Sequence, residues 1–220
     1  MPRRQYSPGA PRQREMKPMH NQIVSTGYDK VSEAYRSDND SADKYINWCK
    51  RILELRPNAK TALDIGCGCG IPVCKYFSEN GLRTVGIDIS QRQIERAEKL
   101  APRAIYICDD YLNTNDNQYD IITAFYSIIH IDRTLHKRVF EKLFNQLSAN
   151  GIAVVTVGHE EWEGYEDNWL GVDGAKMYWS HYAVDQYHEM LNAMSFNIIL
   201  DEFIPEDNSG HNNLWIQKSS

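Results

Sequence analysis

The chain has 220 residues, 42% hydrophobic and 25% charged, which suits one domain with a substantial core and excludes a disordered or fibrous protein. No apolar run reaches the roughly 18 residues of a membrane helix, and no apolar secretory stretch opens the sequence, so a cytoplasmic protein without a membrane partner is expected. The net charge of −6 is uneven: Arg3, Arg4, Arg12, Arg14 and Lys17 stand among prolines near the N-terminus, predicting a flexible basic arm over residues 1–24.

After the arm, residues 28–37 and 42–55 carry apolar side chains at helical spacing, Val31, Ala34 and Tyr35, then Tyr45, Trp48, Ile52 and Leu55. From Thr61 short apolar strands follow, at 61–66, 83–88, 104–108, 119–125 and 151–158. Helices are expected between them at 72–80, from the capping-box form Ser90-x-x-Gln93, and at about 133–147. This alternation predicts an α/β fold with a parallel sheet covered on both faces. A helix at about 181–194, with Val184, Tyr187, Leu191 and Met194 on one face, then leads to strands at 196–203 and 213–218. The connection between those strands has no room for a crossover helix, so they are expected to pair antiparallel. Residues 25–220 thus read as one domain.

The densest motif is TALDIGCGCGIP, residues 61–72. A strand runs into Gly66, Gly68 and Gly70 at alternate positions, and Pro72 sits where a helix would begin. Glycine permits positive φ and close approach of a ligand, while a helix N-terminus offers unpaired N–H groups, so the segment reads as a nucleotide-type cofactor loop. A dinucleotide fingerprint wants glycine at the first, third and sixth positions, whereas the sixth from Gly66 is Ile71. Cys49, Cys67, Cys69, Cys74 and Cys108 are odd in number and lack metal-ligand spacing. They read as reduced, buried thiols with no metal.

The pattern Asp64-x-Gly66-x-Gly68-x-Gly70 resembles the cofactor loop of the class I S-adenosylmethionine-dependent methyltransferases, and the resemblance extends over about residues 28–218. It implies a Rossmann-like, doubly wound sheet of seven strands, mostly parallel with an antiparallel last strand, and S-adenosyl-L-methionine as cofactor. It further implies that the glycine loop holds the methionine part and that Asp88 takes both ribose hydroxyls, a task suited to an ionised carboxylate. Asp109 or Asp110, with Tyr111 beside them, would read adenine, and the other aspartate would cap a turn. Tyr28 lies in the segment expected to close over the cofactor, with Tyr35 as a second contact or a core residue.

Methyl transfer is an in-line displacement, so a hydroxyl or protonated amine must be aligned and lose a proton. Just beyond the fourth strand, FYSIIHI (125–131) offers Tyr126 to the acceptor and His130 as a general base of near-neutral pKa, or as a satisfied core histidine. Residues 159–180 form an unusually long connection expected to be a loop-like substrate lid, with Trp162, Trp169, Tyr178 and Trp179 as acceptor contacts. Its net charge of −5 is expected to repel nucleic acid and favour a neutral or cationic acceptor. His159, His181 and His211 are alternative bases. The sequence therefore predicts methyl transfer to a small molecule, at oxygen ahead of nitrogen or sulfur. A cyclase-type enzyme or a non-catalytic regulatory subunit on the same fold are the alternatives.

Overall fold

The computed structural model describes residues 19–39, 43–206 and 209–218. Two helices, α1 (Met19–Tyr35) and α2 (Asp43–Leu55), precede the sheet. The chain then runs through β1 (Thr61–Ile65), α3 (Val73–Glu79), β2 (Arg83–Asp88), α4 (Gln91–Leu100), β3 (Ile105–Cys108), β4 (Tyr119–Ala124), α5 (His136–Gln146) and β5 (Leu147–Gly158). A hairpin of β6 (Trp162–Asp167) and β7 (Lys176–His181) follows, then α6 (Val184–Ala193), β8 (Phe196–Glu206) and β9 (Ser209–Lys218).

The main sheet has the order β3-β2-β1-β4-β5-β9-β8. The pairs from β3 to β5 are parallel, and β9 runs antiparallel to both β5 and β8, as the short last connection requires. Alternate strand residues feed opposite faces. Leu63, Ile122, Ala153 and Val155 pack with Phe140, Leu143 and Tyr187 on one side. Ala62, Ile121, Ile152 and Val154 pack with Ile52, Phe77 and Trp215 on the other. The strand order reverses between β1 and β4, and a crevice opens outside the carboxyl ends of strands at such a point.

Four local expectations change. Residues 19–24, assigned to the basic arm, are the first turns of α1, with Val24 buried against the hairpin; residues 1–18 of that arm lie outside the described residues. The 159–180 segment is not loop-like: β6 and β7 pair in register Tyr165↔Tyr178 around a turn containing Asn168, Leu170 and Gly171 at positive φ. Its glutamates disguised the strand, whose stability comes from packing Met177, Tyr178 and Trp169 against α1. Ser90 caps α4 by accepting from Gln93 N–H at 3.1 Å, yet the Gln93 side chain accepts from Ser32 Oγ at 2.8 Å rather than closing the reciprocal half of the box. Cys108 is exposed on edge strand β3, whereas Cys49, Cys67, Cys69 and Cys74 are buried.

Candidate active site at the carboxyl ends of the strands

A cavity of about 710 Å³, open to solvent, lies at the ends of β1, β2, β3 and β4 and is bordered by Gly66, Gly68, Asp88, Asp109, Asp110 and Tyr111 among others. The three glycines do different work. A Cβ on Gly68, at φ +54°, would meet nothing within 4 Å, so this is the face of the loop open to a ligand. A Cβ on Gly66 would stand 2.2 Å from Ser127 Cβ, so this glycine lets the turns after β1 and β4 touch. A Cβ on Gly70 would meet Tyr106 Oη at 2.6 Å and Ala97 Cβ at 3.1 Å. Here the loop packs on α4 and β3.

Asp88 ends β2 half-buried, its Oδ2 accepting from Gly68 N–H and its Oδ1 from Ser90 N–H, each at 2.9 Å. Burial pushes its carboxyl up to about 6, against the pull of those two backbone bonds. Asp64 lies beneath the loop, accepting from Thr123 Oγ1 at 2.7 Å and Cys74 Sγ at 3.6 Å, and burial raises it to about 7. It faces a neighbouring cavity of about 400 Å³ that Tyr35 and Arg36 also border. Asp110 is the turn cap: Oδ1 accepts from Leu112 N–H at 2.9 Å, and Oδ2 accepts from the Asn21 amide at 2.6 Å. Asp109 Oδ1 accepts from Asp110 N–H at 2.7 Å. Tyr111 is buried, its hydroxyl donating to Gln146 Oε1 at 2.7 Å. Asn21 and Arg36 escaped the sequence reading, because a lone polar residue on a helix carries no motif.

A third cavity, about 550 Å³, shares Tyr28, Tyr35, Tyr126 and His130 with the first and adds Trp169, Trp179, Tyr45, Lys44, Glu206 and His211. His130 stands at the junction. Its Nδ1 is 2.8 Å from the Tyr178 carbonyl, which can only accept, so Nδ1 carries the hydrogen and Nε2 is the basic nitrogen. Tyr28 Oη donates to that Nε2 at 3.0 Å. Burial lowers His130 to about 4, correcting the near-neutral base expected from sequence. Desolvation holds the Tyr28 hydroxyl well above the ordinary phenol range. Tyr126 adopts φ +52°, and its hydroxyl donates to Glu206 Oε1 at 2.6 Å. Glu206 Oε2 pairs with His211 Nδ1 at 3.0 Å, and Lys44 Nζ lies 3.8 Å from Oε1.

Several expected acceptor contacts lie elsewhere. Trp162 is 45% exposed and rests on Gly164 of its own strand. Tyr178 is buried, stacked on His20 at 4.0 Å, and donates to Glu163 Oε1 at 2.8 Å. The strand pleat sends it to the face opposite Trp179, leaving Trp169, Trp179 and Tyr126 at the cavity. His159 bonds Asn212 and His181 bonds the Glu160 carbonyl, so of the alternative bases only His211 borders the cavity. Of the hairpin's acids, Glu161 and Glu163 pair with Arg133 at 2.7 and 3.2 Å, and Asp167 pairs with Lys176 at 3.4 Å.

The sequence matches the methyltransferase domain family over residues 35–202, most of the chain, and belongs to that family. Its cofactor is S-adenosylmethionine, and the fold and loop are those of a class I methyltransferase. It is 27% identical over 193 residues to a phosphoethanolamine N-methyltransferase from Plasmodium falciparum, covering 83% of this chain and 71% of that one. Among solved structures it is similar to a magnesium protoporphyrin IX methyltransferase from Synechocystis PCC 6803 with bound S-adenosylmethionine, at a TM-score of 0.68 and 14% identity over 93% of this chain and 100% of the other. It is similar also to the 4+2 cyclase SpnF, at a TM-score of 0.67 and 19% identity over 91% and 96% of the two chains. At such identities the structural likeness is one of fold.

The residues present fit the cofactor. Gly68 leaves room where a side chain would close the loop, Asp88 faces the same cavity, and Ser127 Oγ at its edge is buried without a partner among the described residues.

Proposed function

We propose that this methyltransferase acts on a small organic acceptor at oxygen, and that Tyr28 and His130 together take the acceptor's proton. The observation that carries the reading is the 3.0 Å bond from Tyr28 Oη to a His130 nitrogen whose ring is fixed by the Tyr178 carbonyl, at the boundary of the two cavities. In this reading Gly66 and Gly68 hold the methionine part of the cofactor, Asp88 the ribose hydroxyls, and Asp109 and Asp110 the adenine end. When bound, S-adenosylmethionine supplies a methyl group activated by its sulfonium.

The acceptor hydroxyl donates to the Tyr28 oxygen, which has a lone pair to spare while its own hydrogen points at His130. As the acceptor oxygen gains the methyl carbon as its third bonding partner its acidity rises steeply. Its proton passes to Tyr28 and the Tyr28 proton passes to His130 Nε2, leaving an imidazolium held through Nδ1–H by the Tyr178 carbonyl. A base lowered to about 4 does not deprotonate a resting hydroxyl. It suits a proton that becomes acidic only as the new bond forms. Trp169, Trp179 and Tyr126 align the acceptor, and α1 with the hairpin excludes water. An amine acceptor, as in the name of the P. falciparum relative, would use the same relay.

The test is methyl transfer from a labelled donor to a panel of small acceptors. Transfer is expected, with kcat lowered about 10²-fold or more in Tyr28→Phe and donor affinity retained. Turnover of an acceptor without loss of label from the donor would instead support a cyclase-type reaction.

A further inference from the structure

Resting on that reading, we infer that the acceptor is a neutral aromatic hydroxyl compound, a phenol or fused-ring analogue, rather than an amine or a phosphorylated alcohol. The walls of the third cavity are rings set at angles to one another. Trp169 and Trp179 meet at 5.7 Å and 84°, Tyr28 and Trp169 at 5.4 Å and 83°, and His130 and Trp179 at 4.3 Å and 46°. Edges and faces presented together suit an aromatic guest, which gains from both offset-stacked and edge-to-face contacts.

The charges of this cavity are already matched. Lys44 and Glu206 are its charged side chains, and they pair with one another while Tyr126 and His211 satisfy the Glu206 oxygens. Burial lowers both His130 and His211, the latter against the pull of Glu206. Aromatic walls can attract a guest cation, and the Lys44 ammonium already takes the faces of two of them, 4.7 Å over the Tyr126 ring and 5.2 Å over Tyr45. An incoming ammonium would be a second cation beside it. A phosphate would bring up to two negative charges to one lysine that Glu206 already neutralises. Either guest loses its water without gaining a free counter-charge. A neutral hydroxyl meets no such penalty, and it offers the one hydrogen that the Tyr28 oxygen can accept. In the reaction the acceptor oxygen forms the bond to the methyl carbon, the breaking bond's electron pair stays on sulfur, and the proton leaves through Tyr28 to His130.

The test uses three probes that share one ring system and carry a neutral, an anionic and a cationic group: naphthol, naphthyl phosphate and naphthylmethylamine. Each is titrated calorimetrically into the full chain saturated with S-adenosylhomocysteine, and each is offered as an acceptor with labelled donor. Naphthol should bind at least about tenfold tighter than either charged probe and take the label on oxygen. Glu206→Gln should move the preference about tenfold toward the phosphate, and Lys44→Ala about tenfold toward the amine, by leaving one charge unmatched. A charged probe binding the unaltered chain as tightly as naphthol, or no binding by any probe, overturns the inference. The two readings fail separately. If a charged probe is methylated and Tyr28→Phe abolishes that transfer, the relay stands and the substrate class is wrong. If naphthol is methylated at an undiminished rate by Tyr28→Phe, the substrate class stands and the relay falls.

Discussion

The two halves of the active site share Tyr28, Tyr35, Tyr126 and His130, yet they are built from different materials. The half proposed to hold the cofactor is backbone and carboxylate at the ends of adjacent strands, where the sheet register sets Asp64 beside Gly86 and Asp88 beside Cys108. The half proposed to take the acceptor is assembled from α1, α2, the turn after β4, the hairpin and the β8–β9 tip, and its walls are mostly aromatic with Lys44 and Glu206 paired. A rigid sheet edge suits a constant ligand, while side chains on peripheral elements can change the acceptor without disturbing the sheet. Substitutions in one half should therefore leave the other's ligand largely untouched.

The largest expected effect is on the cofactor side. Asp88→Ala should lose roughly 1.5–3 kcal/mol for each charged hydrogen bond to ribose, read by calorimetry, with acceptor binding altered only through the missing cofactor. The carboxyl's raised value of about 6 adds a pH test. Cofactor affinity should be flat above pH 6 and fall about tenfold per unit below it, and Asp88→Asn should remove the slope. Stability of the cofactor-free protein moves the other way. A carboxyl raised above its unfolded value contributes most at low pH, and that contribution is lost as pH rises through about 6.

Next come the glycines, which separate packing from binding. Gly66→Val should lower thermal stability before it lowers affinity, by roughly 1–3 kcal/mol, because its Cβ meets Ser127 at 2.2 Å. Gly68→Ala should weaken cofactor binding more than it destabilises the fold, since its Cβ enters open space. Smaller still, Trp179→Ala should raise the acceptor KM about tenfold, an edge-to-face partner and its buried area being lost, with S-adenosylmethionine affinity unchanged. Trp162→Ala should change stability by no more than about 0.5 kcal/mol and neither binding constant, because that ring lies on the outer surface.

The same division governs what could be read from the sequence. The seven-stranded sheet was legible because each strand is a short apolar run and the final connection is too short for a crossover. Asp64, Gly66, Gly68 and Asp88 could be singled out in the sequence because the ends of adjacent strands and the turn between them form a local pattern. The different duties of Gly66, Gly68 and Gly70 were not, since only the turn after β4 and the ring of Tyr106 distinguish them. In the acceptor half, Trp169 and Trp179 were found as aromatics in a long insertion. Tyr178 beside them lies on the opposite face from Trp179, because the hairpin strand that carries both is pleated. Lys44 and Glu206, some 160 positions apart in the chain, carry no local signal; only the closing of α2 toward the β8–β9 tip brings them together. His130 was singled out as a candidate base, but the burial that lowers it and the Tyr28 hydroxyl placed before it are tertiary facts.

The most direct test of the account is a double-mutant cycle on that pair, measuring kcat for Tyr28→Phe, His130→Ala and the double variant with a methylated acceptor. Because the two groups pass one proton, each single change should lower kcat by about 10² to 10⁴, and the double change should be little worse than the more damaging single one. S-adenosylhomocysteine affinity should stay within a few-fold throughout, and the lower inflection of kcat against pH, near 4 in the unaltered enzyme, should vanish with His130. Losses below about tenfold, or losses that multiply independently, would contradict the relay and leave alignment alone to carry the reaction.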